Sequence, residues 1–338
     1  MSKQPDKNST NSNTFAPAVQ DRTDLSGIKT LADNLRSEIG KIIVGQERMV
    51  DLLITALLAN GHVLVEGVPG VAKTLTARLF ARTLSTDFSR IQFTPDLMPA
   101  DVIGTSVFNP ETTEFNFKEG PVFSNVVLID EINRSPAKTQ AALFEVMQER
   151  QISVDGTTYT MEEPFIILAT QNPIEHEGTY KLPEAQLDRF LFKINVGYPE
   201  QKDETAILEG VHQRKNQNDP SQLDAVVKAD KLIQNQALVS DIHVEKSLMH
   251  YITSITQHSR NHPAIHIGAS PRAAVFMMRA AQAWAAINGR DFVIPDDIQD
   301  IAQPVLRHRL ILTPEKEMEG TSTDEVITRI IKQIEVPR

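Results

Sequence analysis

The amino-acid sequence predicts an α/β chain in which a parallel, doubly wound sheet is followed by an all-helical domain. Three observations predict it. Short apolar runs alternate with helical patterns between residues 62 and 196; the first run ends in a glycine-containing loop that opens a helix; and no strand rhythm returns after about Tyr198-Pro199. With 338 residues, 41% of them hydrophobic and 23% charged, the chain is long enough for two domains with cores of their own.

Residues 1 to 24 are rich in Ser, Thr, Asn, Asp and Gln and nearly free of branched apolar residues, so a disordered tail is expected there. From Ser26 the pattern turns helical, with Ile28, Leu31, Leu35 and Ile39 at helical spacing, and a second helix is expected from about Gln46 through LLITALLA. HVLVEG (62–67) is the near-continuous apolar run of a buried parallel strand, and TLTARLFARTL after Lys73 reads as a helix. Further strands are expected at RIQF (90–93), NVVLID (125–130), PFIILAT (164–170) and FLFKINV (190–196), with a helix from about Pro136 to Glu149. Two excursions interrupt this alternation. SVF and EFNF around NPETTE, within 94–118, predict a hairpin, and QISVDGTTYTM (151–161) predicts another because Asp155-Gly156 suits a type I′ turn. The α/β domain thus spans 25–197 and the helical domain 198–338. In the latter, helical patterns cover roughly 200–214, 222–237, 244–260, 271–288 and 295–308, and Val326, Ile327, Ile330, Ile331 and Ile334 share one face of a last helix.

Composition excludes several functions. Lys and Arg total 34 against 44 Asp and Glu, a net charge of -10, which argues against nucleic acid bound through its phosphate backbone. There are no cysteines, so disulfides, thiolate metal sites and cysteine nucleophiles are absent. The N-terminus lacks the apolar core of a signal peptide and no run is long enough to span a bilayer, so a cytoplasmic protein without a membrane span is expected. His258, His262 and His266 recur every four residues, but Pro263 breaks any single helix through them, and no metal site is expected there.

The chemistry begins at GVPGVAKT (67–74). A strand, a loop containing Gly67 and Gly70, and a helix N-terminus make an anion site, because backbone N–H groups and the helix dipole face one point. In such a loop Lys73 neutralises β and γ phosphates and the Thr74 hydroxyl ligates Mg²⁺. Ala72 stands where the usual pattern has glycine. Gly67 and Gly70 are expected to supply the permissive backbone, leaving Ala72 in an ordinary helix-entry conformation. VVLIDEINR carries Asp130 and Glu131 to the C-terminal edge of a strand, where ligands bind in open α/β sheets. There an Asp can hold the Mg²⁺ shell and the adjacent Glu can polarise a water. ATQNP presents Asn172, either to orient that water or as a turn residue before Pro173. Arg189 in LPEAQLDRF and Arg272 in GASPRAA offer the bidentate, permanent charge that suits a γ phosphate, or alternatively a structural ion pair.

In this order, GVPGVAKT, LIDEINRSP, ATQNPIEHEGTYKLPEAQLDRF and GASPRAA resemble the AAA+ ATPases and, within them, the MoxR family, over roughly residues 26 to 336. The resemblance implies a sheet of order 5-1-4-3-2, a helical lid, ATP and Mg²⁺ as cofactors, and assembly into a homo-oligomeric ring, a hexamer. It assigns the loop Gly67, Val68, Pro69, Gly70, Val71, Ala72, Lys73, Thr74 and the following Leu75 to Walker A, Asp130 and Glu131 to Walker B, and Asn172 to sensor 1. Arg189 matches the arginine finger that reaches a neighbour's nucleotide, and Arg272 matches sensor 2, acting in cis or in trans. Val44, Gly45 and Gln46 match the segment beside adenine. The two hairpins match the helix-2 insert and the pre-sensor hairpin. The function implied is ATP hydrolysis coupled to chaperone-like remodelling or maturation of a client protein, with a von Willebrand factor A domain protein as a frequent partner. An ATP-gated recruitment module, a magnesium-chelatase-like machine and a nucleic-acid motor are the alternatives, although QISVDGTTYT carries no Lys or Arg.

Overall fold

The computed structural model describes residues 24–173, 180–213 and 223–337. Apart from Asp24, the expected tail lies outside them. Helices α1 (Ser26–Gly40) and α2 (Glu47–Leu58) come first, and α1 buries Ile28, Leu31, Leu35 and Ile39, the residues whose spacing predicted it. There follow β1 (His62–Gly67), α3 (Lys73–Arg82), β2 (Leu84–Ser85), β3 (Phe88–Gln92), α4 (Pro99–Ile103), β4 (Gly104–Asn109) and β5 (Glu114–Glu119). Next in the chain are β6 (Val126–Asp130), α5 (Ala137–Glu149), β7 (Gln151–Val154), β8 (Thr157–Thr160), β9 (Ile166–Gln171), α6 (Glu184–Leu187) and β10 (Phe190–Val196).

Five strands form one parallel sheet in the order β10-β1-β9-β6-β3. Numbered along the chain, these core strands run 5-1-4-3-2, the order the resemblance implied. β6 is buried along its whole length, as a strand covered on both faces must be. One face packs Val63, Val65, Leu128 and Leu168 against α1, α2 and α3; the other packs Leu64, Ile129 and Ile167 against Leu143, Phe144 and Met147 of α5. His62 ties the base of the sheet: its Nδ1 accepts from Ile167 N–H at 3.0 Å while Nε2 donates to the Met147 carbonyl at 3.1 Å. Both hairpins form. Asp155 and Gly156 have φ of 51° and 80°, the pair of positive values that a type I′ turn requires. Phe117 of β5 packs on Tyr159 of β8 with ring centroids 4.3 Å apart, and the Ser106 hydroxyl donates to Asp155, so the two hairpins form one unit.

The remaining chain comprises α7 (Gln201–Gln213), β11 (Val227–Lys228), α8 (Ala229–Ser240), α9 (Lys246–Asn261), β12 (Ile265–Ile267), α10 (Pro271–Ile287), α11 (Pro295–Leu306), β13 (Ile311–Leu312), α12 (Pro314–Met318) and α13 (Thr323–Gln333). The expectation of an all-helical region is corrected in two places. Within the helix expected over 222–237, whose first residue lies outside the described ones, Val226 N–H instead donates to the Thr83 carbonyl at 2.7 Å and Val227 pairs with Leu84. Pairing to the chain leaving α3 overrides the helical pattern there, and two β-branched valines favour it. In addition β12 and β13 form a short antiparallel ladder, Ile265 opposite Leu312. The helical part docks on α2, where the Arg48 guanidinium lies 4.6 Å from the centroid of the Trp284 ring and Trp284 Nε1 donates to Asp300 at 3.1 Å.

Candidate functional site

The C-terminal ends of β1, β6 and β9 open onto a cleft of about 460 Å³ lined by the loop Pro69–Leu75 together with Glu131, Thr170, Gln171 and Asn172. The sheet order explains this convergence, since β9 pairs with both β1 and β6 and brings three strand ends side by side. Gly67 sits where a Cβ would lie 2.5 Å from the Val196 carbonyl, so only glycine allows β1 to approach β10 this closely before the turn. Gly70 has a φ of 89°, the left-handed backbone that its residue type permits.

Ala72 departs from expectation. Its φ of 57° and ψ of 20° are left-handed, not the ordinary helix entry predicted from the sequence. A side chain there costs about 1 kcal/mol relative to glycine. The turn into α3 thus takes a backbone that favours glycine, at the position where the usual pattern has one. Glu131 is likewise left-handed, φ 55° and ψ 54°, and such outliers cluster where side chains are aimed at a ligand.

Thr74 Oγ1 donates to Asp130 Oδ1 at 2.7 Å, which joins the helix start to the strand end. Thr170 Oγ1 lies 3.3 Å from the same oxygen and accepts from Glu131 N–H at 3.0 Å. The other Asp130 oxygen, on a carboxylate that is 4% exposed, accepts from Arg90 Nε at 2.7 Å. Glu131 reaches Arg134 at 2.9 Å and Gln92 at 3.4 Å. Lys73 folds back on the loop, donating to the carbonyls of Gly67 and, at 3.0 Å, Val68. Burial pulls the Lys73 pKa down, and Glu131 and Glu66 oppose that shift. Arg90, Thr170 and Arg134 were missed by sequence reading. Thr170 lies one residue before the end of β9, where the pairing of Ala169 with Ile129 sets it beside Asp130, and Arg90 reads as an ordinary strand charge until register sets it against β6.

A second cleft of about 340 Å³ is lined by Gly45 and Gln46, by Ile194–Tyr198, and by Gln303, Pro304 and Arg307 of the helical part. Its Val196 pairs in the sheet with Gly67, the last residue of β1 before the loop. Gly45 has a φ of 73°, the left-handed backbone that glycine adopts without strain, and a Cβ there would press on the Asp203 side chain. Val44 is half-buried beside it but does not line the cleft.

Neither Arg189 nor Arg272 lines either cleft. Arg189 Nη1 donates to the Ala185 carbonyl at 2.9 Å, and its buried Nε has no partner among the described residues. Arg272 is exposed at the start of α10, its Nη1 3.9 Å from Asp188. The structure thus gathers Lys73, Thr74, Asp130, Glu131 and Asn172 and leaves both arginines apart. Among the described residues no group of three or more His, Asp or Glu side chains suits a metal, and no helix is long and apolar enough to cross a membrane.

Comparison with known proteins accounts for this arrangement. Residues 62–192 match the model of an ATPase family associated with various cellular activities (AAA), and residues 257–330 match an AAA lid domain. The chain is 44% identical to the protein named chaperone MoxR1 of Mycobacterium tuberculosis over 89% of its own length and 81% of the relative's. It is 45% identical to the YeaC protein of Bacillus subtilis over 88% and 92%, and 31% identical to protein MoxR of Methylorubrum extorquens over 96% and 100%. A crystal structure from Cytophaga hutchinsonii, described as a candidate ATPase, superimposes with a TM-score of 0.85 at 41% identity, covering 93% of this chain and 97% of that one.

Proposed function

Because this chain belongs to the MoxR family of AAA+ ATPases, we propose that it hydrolyses ATP with Mg²⁺ at a site completed by a neighbouring protomer of a hexameric ring, and couples turnover to the remodelling of a client protein. The observation that carries this reading is the 2.7 Å contact between Thr74 and Asp130 in a cleft that also holds Lys73 and Glu131. Two hard oxygens at the mouth of a phosphate loop, from Thr74 and Asp130, are the ligand type that would hold a divalent cation. When bound, Mg²⁺ would offset phosphate charge there.

The residues of the chain do the rest. Lys73 exchanges the loop carbonyls for phosphate oxygens, and backbone N–H groups of 70–74 cradle the chain of phosphates. Glu131 takes a proton from the water whose oxygen attacks the γ phosphorus, while the bond from that phosphorus to the β–γ bridging oxygen breaks. To do so Glu131 gives up its ion pair with Arg134. Asn172 orients the water. Arg189, outside its own cleft, serves the neighbour's γ phosphate. The client role draws on the chaperone naming of the Mycobacterium tuberculosis relative.

Phosphate release with and without Mg²⁺ tests the chemistry. Glu131→Gln is expected to retain ATP and to lose turnover by about 10²- to 10³-fold; hydrolysis at the wild-type rate would assign the base elsewhere. Capture of a client by the ATP-held Glu131→Gln protein, and its release on ADP, tests the coupling.

A further inference from the structure

Arg309 lies in the Arg307-His308-Arg309 turn between α11 and β13, with a side chain only 1% exposed. Its guanidinium reaches out of the helical part to the segment that carries Arg189. Nε donates to Asp188 Oδ1 at 2.7 Å, and Nη2 donates to the carbonyls of Asp188 at 3.0 Å and Phe190 at 2.5 Å. Nη1 donates to the Leu191 carbonyl at 3.3 Å and to the Val305 carbonyl of α11. The Phe276 ring covers it, 4.9 Å from centroid to guanidinium carbon. His308 Nε2 adds a bond to the Phe190 carbonyl at 3.0 Å. Asp188 in turn accepts from Ser270 at 3.2 Å and lies 3.9 Å from Arg272, both at the start of α10.

Adhesion alone does not explain this joint. An apolar pair would hold the helical part to the sheet edge without the desolvation that a buried guanidinium incurs. What the charged pair adds is direction: a rigid fork of donors fixes the peptide carbonyls of residues 188, 190 and 191, on both sides of Arg189. We propose that Arg309, acting through Asp188, is a positioning residue for Arg189, so that the lid of one protomer sets how Arg189 meets the ATP of the next. This rests on the reading of Arg189 as acting in trans.

The test uses full-length Arg309→Lys, which keeps the charge and loses the fork, and Asp188→Asn. Either is expected to lower kcat about 10- to 100-fold, as loss of positioning does, with ATP affinity within about threefold of wild type. The decisive readout is complementation. Lys73→Ala supplies an intact Arg189 but no ATP site, so co-expressing it with Arg309→Lys is expected to restore turnover at the variant's own ATP sites. A merely structural defect would not be restored by a neighbour, and that result, or an unchanged kcat in folded Asp188→Asn, overturns the proposal. Arg189→Ala is co-expressed with Lys73→Ala in parallel. If that pair is restored and the Arg309→Lys pair is not, the positioning role alone fails; if neither is restored, the reading of Arg189 fails with it. Should Arg309→Lys not fold, Asp188→Asn carries the same comparison.

Discussion

The phosphate-loop cleft and the clamp around Arg189 are built from different kinds of contact. In the cleft, Lys73 and Thr74 open α3 while Asp130 and Glu131 stand at and just after the end of β6, and the order of the sheet brings the two together. In the clamp, Asp188 is held by Arg309, 121 residues later, through a fork that grips main-chain carbonyls. The cleft follows from local pattern plus strand order, whereas the clamp exists only once the helical part has docked. A site whose residues sit on neighbouring strands needs little beyond its own sheet. If the site is completed across protomers as proposed, Arg189 needs a rigid mount, and the contacts of Arg309 with the 188–191 segment would supply it.

The comparison breaks first at Arg189. If the cleft needs what the clamp holds, Arg189→Ala loses turnover by about 10³-fold or more while ATP binding stays close to wild type; steady-state phosphate release beside nucleotide titration reads both. Near-normal turnover would make the cleft self-sufficient and the clamp purely structural.

The sheet that carries the cleft has a buried histidine at its base, the clamp has another, and acid should loosen both. Burial pushes His62 down to about 4, helped by the nearby Arg150 charge, and drives His308 well below its ordinary value beside Arg309. His62 is held as the neutral Nε2–H tautomer by Met147 and Ile167. Below its unfolded pKa the unfolded chain binds the proton that the fold refuses. Stability is therefore fully present above about pH 6.5 and is lost as pH falls toward 4, by on the order of 3 kcal/mol from His62. Denaturant midpoints at a series of pH values check this. A flat profile over that window would mean that neither ring is neutral in the fold.

A smaller effect separates the carboxylate of the cleft from that of the clamp. Arg90→Ala removes the cation from Asp130, a side chain 4% exposed, and is expected to cost about 2 kcal/mol of stability. Asp188, more exposed at 23%, retains Ser270 and Arg272 when Arg309 is changed and so has other partners to fall back on. Equal stability of wild type and Arg90→Ala would show that Thr74 and Thr170 satisfy Asp130 unaided.

The smallest expected change is at Ala72. Glycine relieves the left-handed alanine, so Ala72→Gly should raise stability by about 0.5–1 kcal/mol and leave ATP affinity within a few-fold. A loss of stability would show that the loop relaxes to a different conformation around alanine.

Much of the cleft was legible in residue order. A near-continuous apolar run before GVPGVAKT and another before Asp130-Glu131 mark buried parallel strands, and such strands present their ends at one edge. The type I′ turn at Asp155-Gly156 was legible for the same local reason. Elsewhere local pattern misled. Residues 222–228 carry a helical pattern, yet Val226 and Val227 pair with Thr83 and Leu84, since an unpaired backbone edge outweighs weak helical preference. The left-handed Ala72 escaped because nothing in its residue type announces positive φ.

By itself the sequence determined the alternation of strands and helices, the two hairpins, and which residue types stand at the strand ends, because these depend on periodicity and turn chemistry within a few neighbours. Tertiary structure alone decided that Arg90 sits on Asp130, that Ala72 adopts a glycine's backbone, and that Arg309 grips the segment around Arg189. Those outcomes depend on register between strands and on docking between distant elements. Neither quantity is encoded in any short window of the chain.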